Sequence, residues 1–250
     1  RRGGVYALMK AYREQHGRVE RGAYPAILTS ASAHFSIARA AVAAGLGTDA
    51  VVHIRTDAHG RMDVRELERM CAEMQADAAH PQGVPLIVCA TSGTTVLGAF
   101  DDVAAIAEVC RKYDLWLHVD ASWGGAAAFL PHDAPERSVL AGLENAHSIT
   151  INPHKLLGVT HQCSFLLVHD KSVLIPPSHS DGGYLFHVPA EDALDMATKT
   201  LGCGRRGDAL KFYLVWLRYG TQGLGDHIAH GLRMAQALWQ RLEVIPSVGV

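Results

Sequence analysis

Leu86-Ile87-Val88-Cys89, then Val103-Ala104-Ala105-Ile106-Ala107-Glu108-Val109-Cys110-Arg111-Lys112-Tyr113, then Leu115-Trp116-Leu117-His118-Val119-Asp120: the fold turns on this stretch. The outer pieces are strand-length, largely apolar and enriched in β-branched residues, so each predicts a strand buried on both faces. The middle piece places Val103, Ile106, Ala107 and Cys110 on one helix face, with Asp101 or Asp102 where an N-cap belongs. Strand, amphipathic helix and strand make the unit of a parallel sheet, because parallel neighbours need a long crossover.

The same alternation extends from about Tyr24 to Asp170. Ala26-Ile27-Leu28, Val51 to Ile54, Ser148 to Ile151 and Phe165 to Val168 supply further strands. Val64 to Ala79 predicts a helix capped by Asp63, with Leu67, Met70, Cys71 and Met74 on one face. The expected class is α/β, a mainly parallel sheet covered by helices. Beyond Asp170, the Pro-, Gly-, Ser- and His-rich stretch Ile175 to Pro189 predicts a long loop of the kind that is often functional. Two helices are expected after it, Gly207 to Tyr219 and Gly225 to Leu242, separated at Gly220 and Gly223.

Composition narrows the partners. A formal net charge of -2 with 19% charged residues offers no basic surface for nucleic acid or an anionic membrane. No apolar run approaches the roughly 18 residues a membrane span needs. Five widely spaced cysteines without a CxxC pair indicate reduced thiols in a cytoplasmic protein rather than a disulfide framework. Neither GxGxxG nor GxxxxGK[ST] occurs, no HExxH is present, and the histidines lack metal-ligand spacing.

Open α/β sheets bind ligands at the carboxyl ends of their strands. Asp120 closes one strand, and Lys155 follows another through Asn152-Pro153-His154, where Pro153 ends the ladder. Either residue alone has an ordinary explanation as a turn or surface group. Together they suit pyridoxal phosphate, with the amine bonding the cofactor's aldehyde and the carboxylate pairing with its ring nitrogen.

His118-Val119-Asp120-Ala121-Ser122-Trp123-Gly124-Gly125 and Asn152-Pro153-His154-Lys155 resemble signatures of the group II pyridoxal-phosphate decarboxylases, in the glutamate and cysteine-sulfinate branch. Thr91-Ser92-Gly93-Thr94-Thr95-Val96-Leu97-Gly98-Ala99-Phe100-Asp101 resembles that family's glycine-threonine-threonine turn, and Ser32-Ala33-His34-Phe35-Ser36-Ile37 its histidine segment. Gln162-Cys163-Ser164, Gly183-Tyr184-Leu185-Phe186 and Cys203-Gly204-Arg205-Arg206 follow in the same order. The resemblance implies the large domain of the aspartate-aminotransferase-like fold. It also implies the roles of individual residues: Lys155 bonds the cofactor, Asp120 meets its ring nitrogen, and His34 stacks on the ring. Thr95, Asn152, His154 and Ser122 lie around the ring and phosphate, and Tyr184 on a mobile loop delivers a proton. The implied reaction is α-decarboxylation of an acidic amino acid, glutamate first and cysteine sulfinate or aspartate next, by a homodimer. A catalytically inactive relative, or an aminotransferase on the same fold, is the alternative.

The resemblance divides the chain into a cofactor-binding large domain at 1–179, a catalytic loop and following helix at 180–224, and a linker helix at 225–250. Some positions depart from the family pattern. Gly3-Gly4 lack the small polar residues of its phosphate loop, Ser122 stands for alanine, Ile151 for tryptophan and His187 for glutamine. Members of the family are longer. A fragment is therefore expected, lacking the N-terminal segment that wraps the dimer and the small domain whose arginine receives the substrate carboxylate.

Overall fold

The computed structural model describes residues 24–76, 83–174, 199–200 and 206–245. Six strands form one sheet: β1 Pro25–Ser30, β2 Val51–Ile54, β3 Val84–Thr91, β4 Trp116–Asp120, β5 Ser148–Ile151 and β6 Phe165–Val168. Their order is β2-β1-β3-β4-β5-β6. Strands β1 to β5 are parallel, and β6 runs antiparallel to β5. Each expected strand is present, and the mainly parallel sheet follows the reading from sequence.

The helices are α1 Ser36–Ala43, α2 Val64–Ala76, α3 Val103–Lys112 and α4 Asp208–Glu243. Helix α2 is capped as expected, since the Glu66 amide donates to Asp63 Oδ1 at 3.2 Å. Asp102 is the cap of α3 and accepts from the Ala105 amide at 3.0 Å. The two helices share a core with the sheet, where Leu67, Cys71, Met74, Val103, Ile106 and Cys110 meet Val88, Ala90, Leu117 and Val119. Helix α1 was not anticipated; Ser36-Ile37-Ala38-Arg39-Ala40-Ala41-Val42-Ala43 is too short and alanine-rich to show a strong periodicity.

Between β4 and β5 the chain makes 3₁₀ turns, at Gly124–Phe129 and Pro135–Leu140, instead of an α-helix. Close packing explains the glycine at the first of these. A Cβ on Gly124 would fall 2.5 Å from the Ser92 carbonyl oxygen and 2.4 Å from the Phe100 ring. The two helices expected after Gly207 are both present, over 208–219 and 221–243, and are labelled together as α4; they meet at a kink where Gly220 leaves the helical region, with φ 68° and ψ 177°. Gly223 does not break the second. Helix α4 packs through Leu224 and Ile228 on Ala126, Ala127, Leu130, Leu157 and Val159, a second apolar cluster at the carboxyl side of β4 and β5. Among the described residues no helix is long and apolar enough to cross a membrane.

Candidate active site

Parallel pairing brings the ends of β3, β4 and β5 to one edge, with Thr91 opposite Asp120 and Asp120 opposite Thr150. Three connections knit that edge together. The Ser92 amide donates to the Asp120 carbonyl at 2.9 Å, the Ala121 amide to Thr150 at 3.0 Å, and the Asn152 amide to the Ser122 carbonyl at 3.2 Å. The half-buried Asp120 carboxylate accepts from the Ser122 amide at 3.1 Å through Oδ1. Ser122 is therefore held on both sides by the two segments that carry Asp120 and Asn152.

Lys155 is exposed, yet the turn beneath it is pinned. Pro153 is fully buried, and Leu157 and Val159 are each 3% exposed in the cluster under α4. The Lys155 amide donates to the Asn152 carbonyl at 2.9 Å, and Gly158, at φ 69°, donates back to the Lys155 carbonyl at 3.0 Å. A proline that ends the ladder and two buried aliphatic anchors thus fix the Lys155 turn at the carboxyl edge of the sheet. Beside it, His154 Nδ1 lies 2.5 Å from the Cys163 carbonyl oxygen and 3.0 Å from the Cys163 amide. One nitrogen serves only one of these bonds at a time, so the ring's tautomer selects between them.

His34 occupies the turn after β1 on the same side of the sheet. Its Nδ1 accepts from the Ser36 amide at 3.3 Å, and its ring tilts against Phe35 with centroids 4.0 Å apart. Thr94 and Thr95 have different fates. Thr94 is buried and its Oγ1 accepts from the Ala99 amide at 2.9 Å, building the turn, whereas Thr95 is turned outward and exposed. Lys155, Asp120, Asn152, His154, Ser122, Thr95 and His34 all lie on segments leaving the carboxyl ends of β1, β3, β4 and β5. Tyr184 and the phosphate-loop remnant Gly3-Gly4 lie outside the described residues.

Other groups at this edge were not anticipated. The Asp101 carboxylate is 4% exposed and accepts from the Met62 amide at 2.6 Å and the Thr91 amide at 2.8 Å. It is a clamp between the 55–63 loop and the end of β3, and burial raises its pKa against the pull of those two amides. The sequence offered only an aspartate pair before a helix, with nothing to show that one member folds inward. Thr91 Oγ1, Ser92 Oγ and Asn152 Oδ1 are buried without a hydrogen-bond partner among the described residues. Buried polar atoms are seldom left unpaired, so these three, beside an exposed amine and a half-buried carboxylate, fit a polar ligand at the sheet edge. A hollow of about 500 Å³ lies elsewhere, lined by His132, Pro135, Arg137 and Leu143, and holds none of the site residues.

Most of the chain is similar to known proteins. An L-aspartate decarboxylase of Metarhizium robertsii is 42% identical over 223 residues, 89% of this chain and 43% of the relative. Human cysteine sulfinic acid decarboxylase is 43% identical over 221 residues, 87% of this chain and 43% of the relative. The crystal structure of mouse CSAD superposes with a TM-score of 0.80 at 38% identity, covering 97% of this chain and 49% of that one. The chain thus spans less than half the length of each of these relatives. Residues 4–246 match the pyridoxal-dependent decarboxylase conserved domain. The chain belongs to the pyridoxal-dependent decarboxylase family, whose cofactor is pyridoxal 5'-phosphate.

Proposed function

We propose that this chain carries the cofactor-binding core of an enzyme that removes the α-carboxylate of an acidic L-amino acid as carbon dioxide. The observation that carries the reading is the pairing of β4 with β5, which sets Asp120 and the pinned turn of Lys155 on one sheet edge. Pyridoxal phosphate, when bound, supplies the electron sink that accepts the pair left behind as carbon dioxide departs. Lys155 holds the cofactor through its amine, and Asp120 stabilises positive charge at the ring nitrogen. His34 would pack against the ring, while Thr95, Asn152, His154 and Ser122 would help hold the cofactor and its phosphate. Tyr184 gives the α-carbon the proton that replaces carbon dioxide, a step that needs water kept out.

The sequence alone ranks glutamate first. The names of the relatives, an aspartate and a cysteine sulfinic acid decarboxylase, move those two substrates ahead of it. A homodimer in a reducing, cytoplasmic compartment completes the reading. Exposed Leu210, Leu214 and Leu217 on α4 support the first part, and free Cys71, Cys89, Cys110 and Cys163 the second.

The test is to add pyridoxal phosphate to the chain and record the visible band of the lysine-bound cofactor, which Lys155→Ala must abolish. Release of labelled carbon dioxide from aspartate, cysteine sulfinate and glutamate then ranks the substrates. A keto-acid product without gas would replace decarboxylation with amino transfer. No band in the parent chain would remove the cofactor assignment.

A further inference from the structure

The two faces of the central strands are chemically different. Leu117 and Val119 point into the core under α2 and α3. Trp116, His118 and Asp120 alternate onto the other face, because side chains along a strand change sides with a period of two. Register partners of parallel strands share a face, so His118 stands in a row with Thr29, Cys89 and Ser148 across four strands. The next row toward the carboxyl edge holds Thr91, Asp120 and Thr150. Polar side chains therefore run through a region where buried aliphatics are the ordinary choice.

These groups are joined. The Trp116 indole Nε1 donates to Ser148 Oγ at 2.9 Å. Ser148 Oγ lies 2.8 Å from His118 Nδ1, and His118 Nε2 lies 3.4 Å from Thr150 Oγ1. An indole nitrogen only donates, so Ser148 receives the Trp116 proton and must place its own elsewhere. Ser148 is 7% exposed, and His118 Nδ1 is the acceptor within reach. Filling that acceptor leaves the proton of a neutral ring on Nε2, facing Thr150, and frees the Thr150 hydroxyl to donate onward. The opposite tautomer would set two donors on Ser148 and leave its own buried proton without an acceptor among the described residues, an arrangement that folded proteins avoid.

We propose that Trp116, Ser148, His118 and Thr150 form a one-way hydrogen-bond chain directed at Asp120, the register partner of Thr150, and that the freed Thr150 hydroxyl donates to its carboxylate, making His118 a positioning residue for it. The purpose assigned to the chain rests on the reading of Asp120 as the ring-nitrogen partner. The direction of the chain does not. Burial lowers the pKa of His118 against the opposing charge of Asp120, which agrees with a neutral ring near that carboxylate. A donor aimed at a carboxylate favours its ionised form and fixes its orientation, both of which a ring-nitrogen partner needs.

The first experiment uses the 250-residue chain without cofactor. Long-range ¹⁵N–¹H spectra report which histidine nitrogen carries hydrogen, and His118 is assigned by the signals lost in His118→Gln. The expected result is a neutral ring protonated at Nε2, with a comparable share of the Nδ1–H form appearing in Ser148→Ala. A ring protonated at Nδ1 or at both nitrogens in the parent chain would overturn the proposal. The second experiment adds pyridoxal phosphate labelled with ¹⁵N in the ring. In Thr150→Val, an isosteric loss of the last hydroxyl, the ring-nitrogen protonation constant should fall about tenfold, one pKa unit, whereas His118→Gln, whose amide both accepts and donates, should retain it. An unmoved ring-nitrogen signal in a folded Thr150→Val would refute the positioning role, and Ser148→Ala gives the same reading if Thr150→Val does not fold. If the parent binds no cofactor while His118 shows the expected tautomer, the chain stands and the cofactor assignment falls.

Discussion

Asp101 and Asp102 sit side by side, and their different fates show what a single carboxylate does at this edge. Asp102 remains at the surface as the cap of α3, whereas Asp101 turns inward and satisfies two amides that would otherwise face no acceptor. Asp101→Asn replaces one acceptor oxygen by a donor group that opposes an amide. It should lower stability by about 1–3 kcal/mol, the cost of leaving a buried group unsatisfied, as measured by urea unfolding. Asp102→Ala should cost nearer ~1 kcal/mol. Asp57 behaves differently again. The Arg61 amide, helped by the Arg61 guanidinium and the His59 amide, lowers its pKa to about 2 from an ordinary 3.8. Because the folded-state value is the lower one, its contribution is complete above about 3.8 and is lost as pH falls toward 2. Asp57→Asn should therefore flatten the pH dependence of unfolding in that acid window and leave it unchanged near neutrality. At this scale the sequence made the edge positions of Lys155 and Asp120 legible, because Lys155 follows one recognisable strand and Asp120 closes another. Asp101 was not legible, since inward and outward aspartates look identical before the chain folds.

Among the elements, α4 makes the clearest demand on its sequence. Gly225 faces the 3₁₀ turn after β4, and a Cβ there would lie 2.4 Å from the Phe129 carbonyl oxygen, a backbone atom that cannot step aside. Gly231, two turns along the same helix, has nothing within 4 Å. The same substitution should therefore act in opposite directions. Gly231→Ala should stabilise by up to about 1 kcal/mol through helix propensity, whereas Gly225→Ala should destabilise by about 1–3 kcal/mol through overpacking. Thermal unfolding of the two variants separates these effects. Periodicity predicted most of α4 and its bend at Gly220, because long amphipathic patterns and glycine interruptions are strong local signals. The 3₁₀ path from β4 to β5 left no such trace. Its geometry comes from the close approach of Gly124 to Ser92 and Phe100, a tertiary contact with no signature in the local pattern.

Taken whole, the described part of the molecule buries its chemistry unevenly. The thiols of Cys71, Cys89, Cys110 and Cys163 are buried, and burial raises each pKa, to about 12 for Cys71 and Cys110. At pH 8 these groups are overwhelmingly protonated, and the thiolate is the reactive form. Alkylation of these four cysteines should therefore track the rate of unfolding, and denaturant should accelerate it by orders of magnitude; mass spectrometry of labelled peptides resolves each site. The parallel architecture was legible because every strand appears in the sequence as a short apolar run, but the order β2-β1-β3-β4-β5-β6 depends on non-local pairing that no run encodes. That order has one more consequence. Strands β3, β4 and β5 are consecutive in the chain and adjacent in the sheet, so the threonine turn, the aspartate and the lysine turn come from a single stretch of polypeptide. In native-state deuterium exchange their amides should open together as one cooperative block, so that any local melting of this block disperses the three segments of the proposed site at the same moment.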